Sequence, residues 1–380
     1  MQGGIPVARL FGIEIRVSIA WVVLLALVTI IGAEQATVIS PDISTAVQWA
    51  IGIGVGIAFL FSVLSHELAH SLVGRRVGVP TRPIVLGFLG GLAPLTIEAS
   101  RPGDELMIAS SGPLLSLSLG VVLITIGGVV GVEAPDLGAF AGGVVVVGGL
   151  NLILGVLSLI PGMPLDGGRI VRSLAWYRSG DMVQAGLTTA RVGKYAGWFA
   201  TAIGITLALI GATSLGLLVL AIGWMLATGA RTVDRRSRLE RILRGVHVQE
   251  AMDREVPRIG PHLTVDTFAD RFSGEDPVTA LAVVQGDEVL GVIGVQRIRR
   301  LGRRKFATTR AADVMAAPPL VPFFAPDDDL AGTIDFLARP GLDALAVAVG
   351  GRLEGLLTRQ SLAALVEART IGKVAGGGAA

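Results

Sequence analysis

The chain has 380 residues, of which 52% are hydrophobic and 16% charged, with a mean hydropathy of +0.68 and a formal net charge of +2. Soluble globular chains carry roughly 25% charged residues, so this composition excludes a wholly soluble enzyme, a disordered chain and a fibre. No cysteine is present, which excludes disulfides, iron–sulfur clusters and a cysteine nucleophile. The basic groups, nearly all Arg, form no nucleic-acid footprint, so no nucleic-acid partner is expected.

Long apolar runs fill residues 18 to 229. A membrane span needs roughly 20 apolar residues. In chain order, six spans are expected: Val17–Ala33, Ala50–Leu72, Leu106–Val132, Ala139–Ile160, Ala196–Ile210 and Leu215–Thr228. The last two are short and flank Gly211-Ala212-Thr213-Ser214, which suits a tight hairpin of two spans. The segment before the first span, Ala8 to Arg16, is strand-like and too long for a signal-peptide n-region. Arg and Lys border the spans on one set of connections only: Arg9 and Arg16, Arg75 to Arg101, Arg169 to Lys194, and Arg231 to Arg244. The other set, 34–49, 133–138 and 211–214, holds none. Positive charge stays inside, so both termini are expected in the cytoplasm of a multi-pass cell-membrane protein. Between the second and third spans, the β-type runs Pro83–Leu89 and Leu92–Ile97 flank Gly90-Gly91, which reads as a hairpin turn. Such a hairpin must be packed in protein or line a cavity; the other reading is a plain cytoplasmic loop.

The second span contains Ser65-His66-Glu67-Leu68-Ala69-His70. Residues four apart share a helix face, so both imidazoles can reach one Zn²⁺, and Glu67 beside His66 can act as general base on water. An acidic group in a bilayer costs roughly 2.5–3.5 kcal/mol, which argues that Glu67 is retained for chemistry. A catalytic zinc needs a third protein ligand. Asp166, in Ile160-Pro161-Gly162-Met163-Pro164-Leu165-Asp166-Gly167-Gly168-Arg169, follows prolines that end the fourth helix on the same side of the membrane as the His pair.

These motifs resemble the site-2 protease family of intramembrane zinc metalloproteases. The resemblance covers most of residues 1–230: the His-Glu-x-x-His, Gly90-Gly91, Ser111-Gly112-Pro113, Asn151 and the Leu-Asp-Gly at Asp166. It implies one Zn²⁺ per chain held by His66, His70 and Asp166, with Glu67 activating water to cut a peptide bond within the membrane. It also implies that the hairpin offers a strand edge to an unwound substrate. Expected substrates are transmembrane or membrane-associated regulatory proteins, with membrane lipid as the surrounding partner. One departure stands out. The family usually has Asn eight residues before the ligand Asp, near the tetrahedral intermediate; here that position is Ser158. Losing an oxyanion donor can cost roughly 10²–10³ in rate, so the alternative is a catalytically weak relative that binds or regulates. Asn151, two helical turns earlier, either substitutes in part or makes an interhelical hydrogen bond.

Arg231–Arg244 is a basic stretch, either a helix on anionic headgroups or a charged linker. Beyond it the sequence repeats with a period of about 63 residues: Val248–Met252 matches Ala311–Met315, and Leu290–Gly294 matches Glu354–Thr358. This resembles a tandem CBS pair, a module that often binds adenine nucleotides. The Gly-h-h-Thr/Ser-x-x-Asp pattern is degraded in both copies, with Thr358 but Ser361 in the second and Gly294 with Arg297 in the first. An adenine nucleotide is therefore weakly supported against a docking module or a homodimer contact. The expected fold is a polytopic α-helical membrane domain (1–230, six spans and a membrane-associated β-hairpin) and a basic linker (231–245). A cytoplasmic α/β CBS pair (246–370, repeats about 246–305 and 309–370) and a flexible tail (371–380) follow.

Overall fold

The computed structural model describes residues 4–81, 83–87, 90–91, 99–272, 278–319, 321–339 and 341–376. The chain opens with strands β1 (Ile5–Leu10) and β2 (Ile13–Val17). Phe11 at φ 51° and Gly12 at φ 81° join them in a two-residue turn whose positive angles match the twist of a hairpin. β2 pairs in parallel with β3 (Ile84–Gly87), which pairs antiparallel with β4 (Gly90–Gly91), in the order β1-β2-β3-β4. Gly90 and Gly91 stand opposite Gly87 and Leu86. The expected hairpin is present, but Gly90 and Gly91 are paired residues of its second strand and not its turn, because the antiparallel register sets Gly90 opposite Gly87. The second run, Leu92–Ile97, lies outside the described residues. Ile13, Ile15, Ile84 and Leu86 are buried and pack with Val63 and Leu68.

Six helices among the described residues are long and apolar enough to cross a membrane. They are α1 (Ile19–Ile39), α2 (Thr45–Arg76), α3 (Pro102–Glu133), α4 (Gly138–Ser158), α6 (Met182–Leu209) and α7 (Thr213–Leu243), with the shorter α5 (Asp166–Ser179) between α4 and α6. The protein is thus a multi-pass membrane protein. Most helices outrun the expected spans, because hydropathy registers only an apolar stretch while polar turns continue the same helix. α6 starts at Met182, where the Asp181 carboxylate caps it by accepting from the Val183 and Gln184 N–H groups at 2.8 and 3.1 Å. The basic stretch from Arg231 is the C-terminal part of α7.

The first compact unit ends at Ser237 and the second begins at Arg238. The second holds a five-stranded sheet of β5 (Arg258–Ile259), β6 (Ala280–Gln285), β7 (Glu288–Gly294), β8 (Ala344–Val349) and β9 (Arg352–Thr358), ordered β5-β6-β7-β9-β8. The hairpins β6–β7 and β8–β9 share one burial alternation and carry a bulge at equivalent places, between Val283 and Val284 and between Val347 and Ala348. The two repeats exchange their leading segments: Asp253 bonds to Leu356 of β9, and Ala316 to Val292 of β7. Ala280, Ala282, Val289 and Val292 form one buried cluster with Ala344, Ala346, Leu353 and Leu356. Neither repeat closes its core without the other. The unit is completed by short helices and α12 (Arg359–Gly376), which follows β9 directly; here α8 to α11 are Val265–Phe268, Val295–Arg300, Ala311–Val314 and Ile334–Leu337.

Candidate metal and catalytic site

His66 and His70 lie one turn apart on α2, with their rings edge to face at 4.9 Å between centroids. Each ring is oriented through its Nδ1 by α3. His70 Nδ1 donates to the Ile108 carbonyl at 2.7 Å, and His66 Nδ1 lies 2.9 Å from the Ser116 hydroxyl. A carbonyl can only accept, so in the neutral ring the His70 proton sits on Nδ1 and leaves Nε2 with its lone pair free. Ser116 can accept in the same way from His66.

The third group arrives from the far side. After a seven-residue connection from the end of α4, α5 begins at Asp166 itself. A Cβ on Gly168 would fall 2.5 Å from Met163 N, and one on Gly167 would overlap the Leu159 and Ile160 carbonyls, so only glycine lets the first turn of α5 fold against the preceding loop. Asp166 Oδ2 then lies 3.3 Å from both His66 Nε2 and His70 Nε2, which are 3.2 Å apart. For ligands about 2.0–2.1 Å from a tetrahedral zinc, neighbouring donor atoms stand about 3.3 Å apart. The three observed separations fit one face of that tetrahedron. The donor set agrees: two imidazole nitrogens and a carboxylate oxygen converge on one point, as ligands of a shared cation must. Gly112 keeps the space clear, since a Cβ there would come 2.7 Å from His66 Nε2 and closer to His70 Nε2. α5 is tied to α3 by Glu105, which is 1% exposed and accepts from Arg169 Nε at 2.9 Å, Arg169 Nη2 at 3.4 Å and Arg172 Nη2 at 2.9 Å.

Glu67 is half-buried beside this triad, on the α2 turn that carries both imidazoles. Among the described residues, the hydrogen bonds of Ser158 and Asn151 go to groups other than the three donor atoms. The buried Ser158 hydroxyl donates to the Leu154 carbonyl at 2.7 Å. Asn151 Nδ2 donates to Ser62 Oγ at 3.0 Å and to the Val147 carbonyl at 2.8 Å, which makes it an α4-to-α2 contact one turn before His66. In the second unit, Thr358 and Ser361 bond to each other at the start of α12, and Arg297 donates to the Val314 and Met315 carbonyls at 2.9 and 2.8 Å. Sequence reasoning missed Glu105, Gly112 as part of the site, and Ser116. The available signal was an acid at Glu105 in an apolar helix and the four-residue step from Gly112 to Ser116.

The fold is that of a polytopic membrane protein, and the donor atoms of His66, His70 and Asp166 lie close enough together to hold one metal ion. Residues 54–136 match the profile of Peptidase family M50, and residues 248–303 match that of the CBS domain. Rip3 of Mycobacterium tuberculosis, provisionally named a zinc metalloprotease, is 30% identical over 97% of this chain and 94% of its own length. The similarly named sll0528 of a Synechocystis strain is 29% identical over 95% of each. Among solved structures, the site-2 protease from Methanocaldococcus jannaschii is 25% identical, covering 61% of this chain and 95% of that one, with a TM-score of 0.40. The chain belongs to the M50 family of zinc metalloproteases and carries CBS domains in its C-terminal part; its cofactor is zinc.

Proposed function

We propose that this chain is an intramembrane endopeptidase that cuts transmembrane or membrane-associated regulatory proteins, with His66, His70 and Asp166 as zinc ligands and Glu67 as general base. The observation that carries it is the triangle of three lone-pair atoms at 3.2–3.3 Å, with His70 held in the ligating tautomer by Ile108. Zinc, when bound, supplies a Lewis acid that polarises the scissile carbonyl and acidifies water. The protein's own groups do the rest. Glu67 takes a proton from the attacking water as its oxygen bonds to the carbonyl carbon, then delivers that proton to the leaving amide nitrogen as the C–N bond breaks. The β4 edge of the sheet holds the substrate as an added strand, which exposes a peptide bond that a helix would keep covered. The cation-bearing connections support cytoplasmic termini. The CBS pair regulates, and the internal bonding of Thr358, Ser361 and Arg297 favours a docking or dimerising role over nucleotide binding.

The test is Glu67→Gln in the full chain, reconstituted with a model transmembrane substrate. Zinc content should stay at about one per chain while cleavage falls to background, because the base is not a ligand. Undiminished cleavage would overturn the mechanism. The commitment of the Ser158 hydroxyl to Leu154 favours a second reading, a catalytically weak relative. It requires Ser158→Asn to raise the cleavage rate, where a full-strength protease would show no gain.

A further inference from the structure

Glu105, Ile108, Gly112 and Ser116 follow one another on α3 at steps of three, four and four residues, so they line a single face of the helix. Three of them address the imidazoles: the Ile108 carbonyl holds His70, the Ser116 hydroxyl holds His66, and Gly112 leaves room between. The fourth reaches α5, the helix that Asp166 begins. We infer that Glu105 is the positioning residue for Asp166, setting the carboxylate's distance from the two imidazoles through Arg169 and Arg172. The inference rests on reading His66, His70 and Asp166 as the zinc ligands.

Asp166 needs such a device. It follows a loop with two prolines, and only its C-terminal side is backed by helix. Arg169 is three residues on, the spacing that shares a face of α5 with Asp166. Its two nitrogens grip both oxygens of Glu105, at 2.9 and 3.4 Å, which fixes the rotation of α5 as well as its distance. Arg172 adds a second attachment at 2.9 Å, one turn further along, and opposes tilting. A buried charge cluster of this kind adds little to stability compared with apolar packing. Its directionality is what an apolar contact cannot replace. One helix that contributes no ligand thereby orients all three.

The test uses full-length protein in detergent, stripped of zinc and retitrated against a competing chelator, with Co²⁺ absorption as a report on coordination. Glu105→Gln should weaken zinc binding about 10–100-fold, the usual effect of removing a group that orients a ligand, alter the Co²⁺ bands, and shrink the rise in Tm on adding zinc. Arg169→Lys keeps the charge but loses the two-pronged grip, and should shift all three readouts the same way by less; it decides the matter if Glu105→Gln does not fold. Wild-type zinc affinity and Co²⁺ bands in the folded variants, whatever their Tm without metal, would reduce Glu105 to a structural role and overturn the inference. If the wild-type chain and His70→Ala take up zinc equally, the ligand reading itself fails, and this inference with it.

Discussion

At Gly112 the missing side chain matters as much as any present one, because a Cβ would stand 2.7 Å from His66 Nε2 and nearer still to His70 Nε2. Alanine in a helix interior is ordinarily favoured over glycine by about 1 kcal/mol. Gly112→Ala gains that propensity but must push aside the imidazoles that Ile108 and Ser116 hold. We expect at least a tenfold loss of zinc affinity in the folded variant; zinc retained at wild-type affinity would show that the imidazoles sit elsewhere. The candidate trio His66, His70 and Asp166, which the fold brings together, was readable in the sequence because a four-residue step on a helix and a proline-flanked Asp-Gly constrain chemistry locally. Gly112, Ser116 and Glu105 were not, because their roles depend on which face of α3 turns toward α2 and α5. The second His was legible from spacing; the hydrogen bond that fixes its tautomer was not.

At the scale of elements, the apolar runs located the six crossing helices but not their ends. The cap at Asp181 and the charged turns of α7 add helix that no hydropathy window counts. The hairpin was legible but its register was not: β3 and β4 pair antiparallel, with Gly90 and Gly91 on the second strand opposite Gly87 and Leu86. What the helices leave open is their direction across the bilayer, and here the absence of cysteine is useful. A cysteine at the exposed Asp136 position, before α4, should react with an impermeant maleimide added to intact cells. One at the exposed Arg76 position, at the end of α2, should react only after lysis. The reverse pattern would invert the orientation drawn from the Arg and Lys distribution.

At the scale of the whole molecule, each of the two units has its own logic. In the second, the exchanged segments and shared cluster require the repeats to fold together, since Asp253 pairs with β9 and Ala316 with β7. Leu356, 2% exposed, belongs to that cluster. Leu356→Ala should cost about 2–5 kcal/mol, and hydrogen exchange in the full chain should then quicken in β6 and β7 as much as in β8 and β9. Quickening confined to β8 and β9 would mean that the repeats are independent. In the first unit lie all three proposed ligands, the groups that orient them and Glu67. The second has no comparable donor set among its described residues: His247 Nδ1 donates to the Asp327 carbonyl, and Asp328 and Asp329 cap local turns. On the proposed reading the second unit regulates the first, which requires that it stabilise two states of the protease unequally. Deleting residues 246–380 should leave zinc content unchanged, because no ligand or orienting group is lost, and should change the cleavage rate or the choice among transmembrane substrates. Equal zinc with equal rate and selectivity would exclude a regulatory role. Loss of zinc on deletion would instead mean that the second unit helps to hold the site together.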